Sequence, residues 1–440
     1  MRCLPPRLVA LALAVLCGAP LAGLCGALVG GCGGSANRPV HRRHQPHPGV
    51  LDIYSSLPLT GPASDAGRSV VSGIRLALSL AGGQAGRFTI HYHSLNDARP
   101  AGGSWDATRT AANARQVATD AQAVTYIGDF DSAASQISLP ILNLAGIPQI
   151  SPWSPYVGLT QSVPGVTPSG EPGRYYPTSA RTFLRIAPDS AVEVAAMLQA
   201  LRTLNCTRLA VLRGGGPQSL VRELAGLLGV EAARFGMKIA WNASLSTVRM
   251  ALRRYLLGLH ALSNGCLAYV GTSSARLPGV LAGIHAALPG EPILASGELC
   301  SSIARRSAYR RLLAGAVGNA LQCTLPSAPA GLAATRRFLA AWRGAYGRRA
   351  RPRPGGTYGY AAMQLTLRAI AGLGSHGDDR SRLLHALMSA RARDTVLGSF
   401  SFNANGDSTV RAFGLYQLRA GGSLQLLRVL QPPELSPDLS

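Results

Sequence analysis

The sequence predicts an α/β protein built from two wound units, and three observations carry that prediction. From Val50 onward, short apolar runs alternate with longer stretches of helical periodicity. The alternation breaks at a Pro/Gly/Ser-rich stretch from Pro164 to Ser179 and then restarts. The length of 440 residues exceeds one ordinary domain but suits two separate cores. Alternating strands and helices imply parallel sheets, because a strand can lie parallel to its predecessor only after the chain has crossed back over the sheet, and that crossover is right-handed.

The N-terminal residues read as an address. Arg2 and Arg7 precede an apolar run from Leu8 to Val29, the pattern of a secretory signal. The run Val29-Gly30-Gly31-Cys32 resembles the lipobox of bacterial lipoproteins, so Cys32 is the expected lipidation site and mature N-terminus, with residues 1–31 removed. An uncleaved anchor is the alternative, since about 20 apolar residues can span a bilayer. Pro20 and the many glycines make this run the poorer helix. Residues 32–48, with His41, His44 and His47 among prolines and arginines, read as a flexible tether.

The first wound unit follows. Strands are expected at Val50 to Ser55, Phe88 to His93, Val124 to Gly128 and Pro148 to Ile150, with helices at Ser69 to Leu80 and Ala107 to Ala121. After the Pro/Gly/Ser-rich stretch, helices are expected at Ser190 to Leu204, Ser219 to Phe235, Leu245 to His260 and Arg276 to Leu288. They alternate with strands at Arg208 to Leu212, Lys238 to Trp241, Leu267 to Gly271 and Pro292 to Ala295. Helical stretches at Leu332 to Tyr346, Tyr358 to Leu373 and Ser381 to Ser389 come next. A hairpin-like ending is expected around Asn403 to Asp407, where a polar, Gly-containing segment separates apolar strands.

Composition narrows the function. Hydrophobic residues make up 47% and charged residues only 14%, below the roughly 25% of ordinary soluble domains, so the chain has material for cores and is not disordered. The formal charge of +23 raises nucleic acid as a partner. Yet every basic residue except Lys238 is an arginine, and they are scattered through helices instead of forming one basic helix with interleaved aromatics. That distribution points to a general drift toward arginine, then to an anionic envelope surface, and away from nucleic acid. Cys206, Cys266, Cys300 and Cys323 remain in the mature chain, an even number that suggests disulfides in an oxidising compartment. Four cysteines permit three pairings. Cys206 and Cys266 each precede an expected strand, which favours Cys206 with Cys266 and Cys300 with Cys323. No cysteine or histidine spacing suggests zinc.

In parallel sheets, loops leaving the carboxyl ends of strands meet helix N-termini, where free N–H groups favour anions. Two such loops stand out: Gly128 to Ser135, and Ser151-Pro152-Trp153-Ser154-Pro155-Tyr156. Ser132 and Ser135 serve equally well as helix caps.

Several segments together resemble the leucine/isoleucine/valine-binding proteins of ABC transporters. They are Ser56 to Pro62, Asn96-Asp97, Tyr126-Ile127-Gly128 with Ser132, Gly146 to Pro152, Phe183 to Ser190, Phe338 to Tyr346, Val396 to Phe402 and Asn405-Gly406-Asp407. The resemblance runs from Val50 to about Leu430. It implies a type I periplasmic binding protein: two Rossmann-like lobes joined by three crossover strands, closing on a ligand by a hinge. Crossovers are then expected near Thr182 to Arg185, Asn319 to Thr324 and Thr395 to Ser399. Lobe I would comprise 48–183 and 324–398, lobe II 184–323 and 399–432, with 433–440 as a tail.

The resemblance further implies a small-molecule ligand, amino-acid-like, delivered to an ABC permease by a membrane-anchored protein. Its carboxylate would rest on Ser132, and its ammonium on Glu298 within Ala295-Ser296-Gly297-Glu298. Trp153, Ser154 and Tyr156 complete the expected ligand-binding set. Two departures stand against leucine itself: Pro155 replaces a threonine that the family often uses, and an aromatic wall position near Ala66 is missing. Asp129 and Asp131 add negative charge beside the expected carboxylate cradle. An enzyme is not expected, since no phosphate loop, zinc spacing or Gly-x-Ser-x-Gly elbow occurs; no catalytic residue and no cofactor are assigned. A lipoprotein using the same fold as a ligand sensor or envelope scaffold is the alternative function.

Overall fold

A computed structural model describes residues 49–99, 104–216, 218–251, 265–328 and 331–433. The expected signal, the lipidation at Cys32, the tether, most of the expected helix Leu245 to His260 and nearly all of the tail lie outside the described residues.

The first unit is wound as its hydrophobic period dictates. Strand β1 (Val50–Leu57), the short β2 (Gln84–Ala85), β3 (Phe88–Asn96), β4 (Ala123–Gly128), β5 (Gln149–Ser151) and β6 (Phe183–Arg185) form a six-stranded sheet in the order β2-β3-β1-β4-β5-β6. All neighbouring pairs are parallel except β2 with β3. Helices α1 (Ser64–Leu80), α2 (Ala107–Thr119) and α3 (Ser132–Leu144) connect the parallel strands. α1 begins five residues before the expected start at Ser69.

The second unit repeats the pattern. α4 (Ser190–Thr203), β7 (Arg208–Arg213), α5 (Gln218–Glu231), β8 (Lys238–Ser244), α6 (Leu245–Met250), β9 (Gly265–Val270), α7 (Leu277–Ala287) and β10 (Ile293–Ala295) follow in order. Then come α8 (Gly297–Arg305), α9 (Ser307–Val317) and β11 (Leu321–Pro326). The chain next runs through α10 (Ala333–Tyr346), α11 (Pro354–Gly372) and α12 (Arg380–Met388) to the hairpin β12 (Arg391–Thr395) and β13 (Gly398–Ser401). It ends in β14 (Phe413–Leu418) and β15 (Leu424–Leu430). The second sheet has the order β15-β14-β11-β10-β9-β7-β8, parallel from β11 to β8 and antiparallel at β14 and β15.

The chain therefore passes between the sheets three times: after β6, after β11 and after β13. Each sheet is covered on both faces. α1, α11 and α12 pack on one face of the first sheet, with Phe338 and Trp342 of α10, while Ala114 and Val117 of α2 and Leu142 of α3 cover the other. α4 and α5 cover one face of the second sheet, and α7, α8 and α9 the other. Burial on both faces explains why these strands read as continuous apolar runs. The close crossing of α1 and α11 depends on glycine: a Cβ at Gly73 would run into the carbonyl of Gly356, and one at Gly359 would lie 2.5 Å from the carbonyl oxygen of Val70.

The polar segment 403–407 does turn tightly, with Gly406 at φ +89° and the Asn403 amide donating to the Asp407 carbonyl. It closes the short hairpin expected there, with Phe402 and Ser408 in an antiparallel bridge, but its strands do not extend into a longer ladder with each other. Asp407 instead bridges to Arg185 of β6, and β14 pairs with β11 and β15 in the other sheet. The turn is local chemistry, whereas its destination is decided by a buried arginine more than two hundred residues away.

Both disulfides join the favoured pairs. Cys206 and Cys266 have Cα atoms 5.8 Å apart and bridge the start of β7 to β9. Cys300 and Cys323, 5.5 Å apart at Cα, tie α8 to β11.

Candidate functional site

A cleft with a volume of about 300 Å³ opens among loops that all follow the carboxyl ends of strands. Pro62, Ala63 and Ala66 come from the segment after β1, and Ser104 and Trp105 from that after β3. Residues 130–133 follow β4, Trp153, Pro155 and Tyr156 follow β5, and Ser219 and Leu220 follow β7. Glu298 and Ser301 follow β10. Six strand ends from two sheets converge on one space, the place where open α/β sheets hold ligands.

The first wall is held by a polar network. Asp129 lies fully buried under the loop, where its carboxylate accepts from the Tyr126 hydroxyl at 2.6 Å and the Ser138 hydroxyl at 2.5 Å. Gln149 on β5 donates to the Gly128 carbonyl at 3.1 Å and to the Ser138 hydroxyl at 2.9 Å. Arg185, without exposed surface, pairs with Asp407 at 2.6 Å. It also donates to the carbonyls of Ser154 and Tyr156, both at 2.8 Å, and to the Thr160 hydroxyl at 2.6 Å. One guanidinium thus fixes the backbone of the loop carrying Trp153 and Tyr156, using the donor fork that suits arginine to such a role.

On that wall Ser132 opens α3. Its hydroxyl oxygen accepts from the Tyr156 amide at 3.1 Å, which leaves its O–H hydrogen to point elsewhere. The amides of Ser132 and Ala133 precede the first bonds of α3, which begin with Ala134 on the Asp131 carbonyl, and lie on the same surface. Phe130 stacks on Trp153, with centroids 5.5 Å apart and planes 5° from parallel, and Trp153 meets the edge of Tyr358.

The second wall is the start of α8. The buried carboxylate of Glu193 on α4 accepts from the Gly297 amide at 2.6 Å, so it caps the helix in place of a local side chain. Burial pushes Glu193 up to about 7, against the lowering effect of that hydrogen bond. The Cys300–Cys323 bridge, two residues beyond Glu298, ties the same helix turn to β11. Ser301 lies beside Glu298 at the i+3 position.

Ser132, Trp153, Tyr156 and Glu298 therefore line one cleft. Ser154 does not. Its hydroxyl is buried in hydrogen bonds to Ser135 at 2.8 Å and to the Asp129 carbonyl at 3.0 Å, so it supports the loop from beneath. Pro155, seen in the sequence only as a departure, faces the cleft. The aromatic missing near Ala66 has counterparts in Trp105 and Phe130, which the sequence analysis did not select. Trp105, directly before the helix-capping Asp106, carried a local signal that went unused.

No protein-family model matches the chain, and no curated protein matches it in sequence. Solved structures do match. A solute-binding protein of an ABC transporter from R. palustris, in complex with benzoate, is 17% identical, with 88% of this chain and 98% of that one covered and a TM-score of 0.64. A leucine-binding protein from Thermotoga maritima is 20% identical, with 87% and 99% covered and a TM-score of 0.65. A branched-chain amino acid transporter substrate-binding protein from Streptococcus pneumoniae, in complex with isoleucine, is 14% identical, with 87% and 100% covered and a TM-score of 0.63. Near-complete coverage of each of these chains, together with two mainly parallel sheets linked by three passages, identifies the architecture: the chain has the type I periplasmic binding protein fold shared by these solute-binding proteins.

Proposed function

We propose that the chain is an extracytoplasmic solute-binding lipoprotein that captures an amino acid or a related small polar molecule in this cleft and presents it to an ABC permease. The observation that carries the reading is the convergence of Ser132 and Glu298, borne by different sheets, on one space of ligand size. Ser132 and the amides opening α3 would receive the polar or acidic end of the ligand, and Glu298 its ammonium. The two wound units would act as lobes, about 48–183 with 324–398 and about 184–323 with 399–432, closing by a hinge at the three passages. Ligands named for the neighbours, leucine, isoleucine and benzoate, support a small-molecule role of this kind. Lipidation at Cys32 would hold the protein at the outer face of the membrane. Among the described residues no helix is long and apolar enough to cross one.

Mass spectrometry of small molecules released from the purified protein identifies the ligand, and calorimetry then tests the site. Glu298→Ala should weaken binding by about 2–5 kcal/mol, since a buried ammonium loses its counter-charge. Ser132→Ala should cost about 0.5–1.5 kcal/mol, the worth of a neutral hydrogen bond. Scattering should show compaction on binding. Equal and negligible losses at both positions would rule the binding mode out. For the anchor, Cys32→Ala should abolish acyl labelling and release the protein from membranes.

A further inference from the structure

The charge of the cleft runs against the charge of the chain. In a protein of net charge +23, the only charged side chains lining this space are Asp131 and Glu298, among the described residues. They come from opposite walls, one at the start of α3 and the other in the first turn of α8.

Asp131 is also unusual for its position. Among the described residues, four helices have an aspartate immediately before their first residue: Asp106, Asp131, Asp189 and Asp379. Three of them turn their carboxylates back onto helix amides, the ordinary use of aspartate there. Asp131 does not cap α3, although its backbone carbonyl accepts from Ala134 and Ser135. Its Oδ2 is closed off from solvent and has no hydrogen-bond partner. A carboxylate left in this way is costly as an anion unless a positive charge comes close to it.

The surroundings of Asp131 suit a cation. Phe130 and Trp153 form a stacked pair in the cleft wall, with Trp105 and Tyr156 nearby. Aromatic faces attract organic cations, the more so where water is excluded. By contrast, a net-neutral zwitterion with its carboxylate on Ser132 would set that carboxylate next to Asp131, while its single positive charge was engaged by Glu298 on the opposite wall. Burial, followed by the facing Glu298 and the nearby Asp129, pushes the Asp131 carboxyl up to about 7, and a bound cation would shift it back toward the carboxylate form.

Building on the solute-capture reading above, we infer that the cleft selects a ligand of net positive charge, a basic amino acid or another organic cation, received between Asp131 and Glu298 against the aromatic wall. Calorimetry on the full-length protein with two sets of probes tests this. The cations are L-arginine, agmatine and choline; the controls are L-citrulline, the uncharged isostere of arginine, with L-leucine and benzoate. The best cation should bind at least about tenfold more tightly than the best control, or about 1.4 kcal/mol. Asp131→Asn should shrink that margin to about threefold or less, and Glu298→Gln, the second variant, should shrink it independently. Thermal melts of both variants establish that they fold. If a control binds as tightly as any cation, selection for positive charge is wrong while solute capture stands. If no probe of either set binds, selection for these cations is wrong, and mass spectrometry of released molecules decides solute capture separately. If the margin survives Asp131→Asn in a folded variant, the assignment to Asp131 is wrong.

Discussion

The two walls of the cleft are held in place in different ways. The first is fixed by polar contacts: Asp129 holds Tyr126 and Ser138, and Arg185 holds the carbonyls of the aromatic loop. In the second, α8 is held by the Cys300–Cys323 bridge, by the Glu193 carboxylate on its leading amide and by the Ser296 hydroxyl, which accepts from the Gly271 amide. A wall built on a buried ion pair fails when either partner is lost, because the survivor is left charged and unpaired. A wall built on a covalent bridge responds to reductant. The two walls should therefore be separable by experiment.

The largest expected effect is at Arg185. Arg185→Leu leaves Asp407 buried without its cation and frees three acceptors of the loop 154–160, so it should cost about 3–5 kcal/mol of stability, measured by denaturant unfolding. A loss below about 1 kcal/mol would break the claim that this ion pair organises the first wall. Next comes the bridge of the second wall. Cys300→Ala with Cys323→Ala should cost about 2–4 kcal/mol, and reductant should lower the melting temperature of the parent but no longer do so through this pair in the variant. Binding by the Ser132 side should change less than binding by the Glu298 side, since only α8 loses its tether.

The smallest effect per step is that of pH, and its sign follows from the buried acids. Burial pushes Asp131 and Glu193 up to about 7 and Glu223 up to about 8, all above their unfolded values near 4. Between those limits the folded chain holds more protons than the unfolded one. Stability contributed by these groups is therefore complete below about pH 4 and is lost as pH rises toward 7 or 8. Each group contributes a slope of at most about 1.4 kcal/mol per pH unit. Melting temperatures measured from pH 5 to 8 should fall, and Asp131→Asn should flatten the curve from the first wall while Glu193→Gln flattens it from the second. Carboxylates around Asp131, namely Asp129, Asp97 and Glu298, all act in the same upward direction on it or on one another, so a rising curve would contradict the burial of this cluster.

The fold was legible in the sequence wherever a local pattern carried it. Val50, Phe88 and Arg208 open strands, and Ala107 and Ser190 open helices, where the apolar period changes. Cys206 and Cys266 could be matched because both sit at the start of parallel strands, and a sheet brings such ends together. The loops carrying Ser132, Trp153 and Tyr156 stood out because loops after parallel strands gather at one edge, whereas Glu298 was implied only by the resemblance of its segment to the leucine/isoleucine/valine-binding proteins. Apart from Glu298, each of these readings uses neighbours a few residues away or a rule about one sheet.

What only the tertiary structure decided is which way a side chain turns when two uses are open to it. Ser154 sits between cleft-facing residues yet points inward, because the Ser135 hydroxyl and the Asp129 carbonyl wait there. Asp131 has the sequence position of a cap and faces the cleft instead, opposite a glutamate from another sheet. Arg185 is one arginine among many in a strongly basic chain, and only its burial against Asp407, 222 residues away, sets it apart. Hydrophobic period is a property of a segment and survives reading in one dimension. The pairing of buried charges and hydroxyls depends on distances that the chain acquires only once both sheets have formed.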